Sequence, residues 1–70
     1  MNRKVVLFQN TRSVIKAEKL LNISGIQIKL IPVPKDISAE CGICIEVFEN
    51  LNSIITVLNE NEIQYEIAEF

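Results

Sequence analysis

Ile43-Cys44-Ile45-Glu46-Val47-Phe48-Glu49-Asn50-Leu51-Asn52-Ser53-Ile54-Ile55-Thr56-Val57-Leu58 changes period in its middle, and that change decides the fold. Over its first six residues side chains alternate, with Ile43, Ile45 and Val47 on one face and Cys44, Glu46 and Phe48 on the other. Alternation of this kind is the period of a strand. Leu51, Ile54, Ile55 and Leu58 then recur at i, i+3, i+4 and i+7, the spacing of one helix face. Asn50 or Asn52 supplies its cap. The stretch is therefore a strand followed directly by a helix.

Working outward, the same two periods alternate along the whole chain. Ile63, Tyr65 and Ile67 alternate with Gln64, Glu66 and Ala68 in a last strand. On the N-terminal side, Cys41-Gly42 opens the central strand, and residues 35–40 have no period and read as a loop. Ile26-Gln27-Ile28-Lys29-Leu30-Ile31 alternates again, and because Pro32 and Pro34 cannot donate ladder hydrogen bonds, that strand lies at a sheet edge or ends there. Gly25 ends a helix in which Val14, Ala17 and Leu21 recur on one face, after the cap candidates Asn10, Thr11 and Ser13. Lys4-Val5-Val6-Leu7-Phe8-Gln9 is β-branched and aromatic, and reads as a first, buried strand.

The order βαββαβ, with helices over 11–24 and 50–61, predicts an α+β ferredoxin-like sandwich in a single domain, residues 1–70. Four antiparallel strands carry both helices on one face, with the first and third strands central. The expected helix-facing set is Val5 and Leu7 with Ile43, Ile45 and Val47. The opposite set is Val6, Phe8, Cys44 and Phe48, a bare apolar face that predicts a homodimer or a docked partner.

Composition narrows the chemistry. At 70 residues and 49% hydrophobic the chain is long enough to fold, with a core near the lower size limit. The longest unbroken apolar run, Val5-Val6-Leu7-Phe8, is far too short for a membrane span. A net charge of -2, without a basic face, argues against nucleic-acid and membrane partners. The chain has no histidine, which removes histidine triads and imidazole acid–base schemes. With Gly25 and Gly42 its only glycines, no phosphate-binding glycine loop exists, and no cofactor is implied. The carboxylates Glu40, Glu46 and Glu49 read as surface groups, as do Glu60, Glu62, Glu66 and Glu69. The two cysteines are too few for a secreted disulfide scaffold, and with no export signal in view they are expected to be reduced in the cytoplasm.

Cys41 is the leading candidate for chemistry. It lies at a loop-to-strand junction beside Gly42, where the backbone bends freely and a partner can approach. Lys35, folded back, would favour its thiolate. The alternative is a small buried apolar cysteine. Cys41-Gly42-Ile43-Cys44 also has dithiol spacing. In an extended strand, however, three residues at about 3.3 Å separate the two Cα atoms by up to about 10 Å. A disulfide needs them within about 6.8 Å. Two thiolates without histidine also leave a metal site half empty, so no metal is expected.

Leu30-Ile31-Pro32-Val33-Pro34-Lys35-Asp36-Ile37-Ser38-Ala39-Glu40-Cys41-Gly42 resembles the signature of the selenium/sulfur carrier-like family, as does Ala17-Glu18-Lys19-Leu20-Leu21 with Gly25-Ile26. The resemblance runs over essentially the whole chain. Members are small bacterial proteins whose family name implies a cysteine that carries selenium or sulfur. That role passes to Cys41, with Lys35, Ser38 and Gly42 as its motif neighbours, and no role passes to Cys44. Lys35 stands where arginine is more usual, keeping the charge without the planar fork.

Three functions follow as expectations. The first is a non-enzymatic carrier that holds a persulfide or selenosulfide on Cys41, between a donor and an acceptor protein. The second is an interaction or regulatory module that uses the sheet face. The third is a small dithiol redox protein.

Overall fold

A computed structural model of the chain describes residues 3–37 and 41–69. The elements are β1 (Lys4–Leu7), α1 (Thr11–Ile23), β2 (Ile28–Pro32), β3 (Ile43–Val47), α2 (Leu51–Glu60) and β4 (Glu66–Glu69). The sheet order is β2-β3-β1-β4, and every neighbouring pair is antiparallel. This is the ferredoxin-like α+β arrangement, with β1 and β3 central. β2 lies at an edge, where the missing N–H of Pro32 costs no ladder bond.

The helices begin and end where local chemistry dictates. The Asn10 side chain accepts from the Ser13 N–H at 2.9 Å and caps α1. Gly25, at φ +77°, closes α1 in a Schellman turn, with Ile26 N–H donating to the Leu21 carbonyl and Gly25 N–H to that of Asn22. α2 ends the same way, Ile63 N–H donating to Leu58 and Glu62 N–H to Asn59. There the left-handed position is held by Glu62, at φ 56°. Asn50 caps α2 from a left-handed conformation without a side-chain hydrogen bond. A β-carbon in this region costs roughly 1 kcal/mol or more. Glu62→Gly is therefore expected to stabilise the fold by about 1 kcal/mol, raising the thermal midpoint by about 4–8 °C in a domain of this size. Calorimetry of the variant checks it.

Register corrects the expected faces. Val6 lies opposite Ile45, and Val5 opposite Glu46. Directly opposed residues share a face of the sheet. Val6 and Phe8 therefore join Ile45 beneath the helices, with Val14, Ala17, Leu21, Ile54 and Leu58. Val5 and Leu7, expected on that side, lie on the other face with Cys44. That face is not bare. Residues 33–37 fold back over it, packing Val33 and Ile37 against Val5, Leu7 and Cys44. Two hydrogen bonds fix this segment, Val33 N–H to the Gly42 carbonyl at 3.1 Å and Ile37 N–H to the Pro34 carbonyl at 3.0 Å. The apolar surface on which a dimer was expected is thus largely inside the molecule. Phe8 is 4% exposed, and only Phe48 stands out, at 54%.

Glu46 is a second correction. Expected at the surface, it is buried on the central strand, where Arg3 forms an ion pair with its carboxylate. A buried carboxylate is stable only with such a partner.

Candidate functional site

The site grows out of the β1–β3 register. Carried past Val6 and Ile45, the same pairing direction brings residue 41 toward residue 10, at the start of α1. Thr11, the first helical residue, places its hydroxyl Oγ1 3.7 Å from Cys41 Sγ. The thiol thus sits at the N-terminus of a thirteen-residue helix whose first turn carries no acidic residue. Helix N-termini favour negative charge, because their first N–H groups lack intrahelical acceptors and the peptide dipoles align.

Cys41 is not on an exposed loop end, as the sequence suggests. It is 5% exposed and belongs to the helix-side core that includes Phe8 and Val14. Gly42 beside it is exposed, its φ lies outside the left-handed region, and a β-carbon there would meet nothing within 4 Å. The fold itself therefore places no demand for glycine at this position. What the absent side chain provides is open space against the thiol-bearing residue, into which another molecule's backbone can come.

Lys35 is exposed on the turn held by Pro34 and Ile37. Among the described residues no hydrogen bond or ion pair joins it to Cys41. Ser38 lies outside the described residues. The structure therefore brings Cys41, Gly42 and Thr11 together, and Lys35 is not part of that contact. Thr11 escaped the sequence reading as a site residue. The clue to it was the central pairing of β1 with β3, which sets the start of α1 beside the start of β3.

Cys44 is a different kind of thiol. It is fully buried in β3 and packs on the opposite face, beneath Val33 and Ile37. Burial pushes its pKa above the ordinary value of 9.0, and the negative charge of Glu46 and then Cys41 adds to the rise. The unfolded chain ionises this thiol first. Its contribution to stability is thus complete below pH 9 and is lost as pH rises through the folded value. The natural protein is expected to lose stability above that pH more steeply than Cys44→Ala, read as urea midpoints across the alkaline range. Cys41 and Cys44 are both free thiols, and they face opposite sides of the sheet. Among the described residues no three side chains of the metal-ligating types converge. No described helix is long and apolar enough to cross a membrane.

Residues 3–68 match the family model described as "Putative Se/S carrier protein-like". The chain belongs to this family. No curated protein and no solved structure matches it. The Se/S carrier-like match takes in β1 to β3, both helices, the Cys41-Gly42 junction and all but the last residue of β4.

Proposed function

We propose that this protein is a sulfur or selenium carrier in which Cys41 holds the transferred atom as a persulfide or selenosulfide. The observation that carries the reading is the placement of Cys41 Sγ against Thr11 at the N-terminus of α1, whose first turn holds no carboxylate, beside a glycine the fold does not need. The family description points to the same class of cargo.

The exchange follows ordinary thiol chemistry. Cys41 loses its proton to solvent, and its sulfur attacks the outer sulfur of a donor cysteine persulfide. A new S–S bond forms to Cys41 as the donor's S–S bond breaks, and the donor leaves as a thiolate that takes up a proton. No external oxidant or reductant enters, because the sulfane sulfur moves between two thiols of equal formal oxidation state. Negative charge on Cys41 Sγ stands at the positive end of the α1 dipole, and the Thr11 hydroxyl can donate to it. Since the thiol is 5% exposed, the exchange proceeds through local opening around residues 41 and 42, at the end of β3 rather than within it. Delivery to an acceptor protein is the same reaction with the roles exchanged.

The test is intact mass after incubation with a cysteine desulfurase and free cysteine. One added sulfur atom per chain, removable by reductant, is the expected result. An unchanged mass overturns the proposal.

A further inference from the structure

We propose that the solvent face of α1, formed by Arg12, Ile15, Lys16, Lys19 and Ile23, is the docking surface for an acidic protein that exchanges sulfur with Cys41. The inference rests on the carrier reading and names the chemistry of its partner. These five positions follow helical spacing on one side of α1, opposite the buried Val14, Ala17 and Leu21. The surface holds three of the chain's seven cations and no carboxylate, so the helix does carry the basic face that the sequence, with its net charge of -2, does not suggest. Ile15 is 51% exposed and Ile23 82% exposed. Arg12, Ile15, Lys16 and Lys19 form one open, shallow patch on the solvent side of the helix.

Position gives this surface its meaning. It starts at Arg12, the neighbour of the Thr11 whose hydroxyl meets Cys41 Sγ, and runs about 17 Å along the helix. A protein seated on it reaches, at its Arg12 end, the first turn of α1, whose Thr11 touches the carrier thiol. Exposed isoleucines set among cations fit a protein interface, where apolar anchors are ringed by complementary charge. A nucleic-acid backbone offers the isoleucines no apolar partner. A bilayer would have to be entered by a helix whose other face is committed to the core.

The experiment uses the full chain and its Lys16→Glu/Lys19→Glu variant, both positions being exposed. Sulfur loading is timed by mass from a cysteine desulfurase and, separately, from cysteine persulfide, a small donor with no surface to dock. The variant is expected to load about tenfold more slowly from the protein and within about twofold of the natural rate from the small donor. High salt should bring the natural chain down to the variant's rate with the desulfurase. Equal rates from the protein donor overturn the docking surface, as does equal slowing with both donors. Loading by the small donor alone, with none from the desulfurase, also overturns it while leaving the carrier chemistry standing. No loading from either donor defeats the carrier reading, and the docking surface with it. Binding to single-stranded RNA or anionic vesicles that the variant loses would reassign the face to polyanions and overturn the protein partner.

Discussion

Cys41→Ser protein is expected to take up no sulfur from a cysteine desulfurase, whereas Cys44→Ala protein is expected to load as the natural chain does. The loss is complete because a serine hydroxyl is no nucleophile toward a persulfide, and the remaining thiol is closed off on the far side of the sheet. Cys44 is fully buried within β3, between β1 and β2, and below pH 9 burial keeps it protonated. Only the thiolate exchanges. Intact-mass analysis of the two variants side by side checks this. Loading that survives in Cys41→Ser would transfer the function to Cys44.

Phe8→Lys is expected to abolish folding, while Phe48→Lys is expected to leave the protein as stable as before. Phe8 is 4% exposed in the core shared by the sheet and both helices, whereas Phe48 is 54% exposed. Removing the Phe8 ring alone, as in Phe8→Ala, costs about 3–5 kcal/mol. A domain of this length has only about 4–10 kcal/mol of net stability to lose. An unpaired ammonium in the same place adds a desolvation cost that the core cannot offset. Phe48→Lys exchanges one surface group for another, worth about 0.5 kcal/mol or less. Circular dichroism in urea separates the outcomes. A folded Phe8→Lys protein would mean that Phe8 is not on the helix side.

Which parts of this molecule its sequence displays follows from where polar and apolar residues alternate. β2 and β3 each show the alternating period of a strand, so both are readable in advance, although β2 runs Ile28–Pro32 rather than over 26–31. Helix α1 shows its buried side plainly, because Val14, Ala17 and Leu21 are separated by charged residues. β1 does not show its faces. Val5-Val6-Leu7-Phe8 is apolar at every position, and only pairing with β3 decides which side chains go under the helices. The cover over the second face was equally hidden, since Val33 and Ile37 lie in a connection without period.

The candidate site was legible in its central residue and not in its surroundings. Cys41-Gly42 is conspicuous in sequence. The burial of Cys41 and its contact with Thr11 are products of a pairing that joins residues thirty positions apart. Glu46 follows the same logic. It looks like a solvated carboxylate, yet β3 is central, and a charge on a central strand must find a partner, which Arg3 supplies. Glu62 violates the local preference for glycine at a left-handed helix end, so no sequence rule would have marked it.

The most direct test of the account is the timed alkylation of the folded natural protein with iodoacetamide, with each cysteine followed separately by mass spectrometry of its fragments. Both thiols are buried, so neither is expected to react as fast as a free peptide thiol. Cys41, at the loop end of β3, is reached by local opening, and Cys44 only when the sheet itself unfolds. The account predicts that Cys41 is modified first, at a rate little affected by low urea, while Cys44 follows the global unfolding equilibrium. Modification of Cys44 first, or of both cysteines at one common rate, would contradict it.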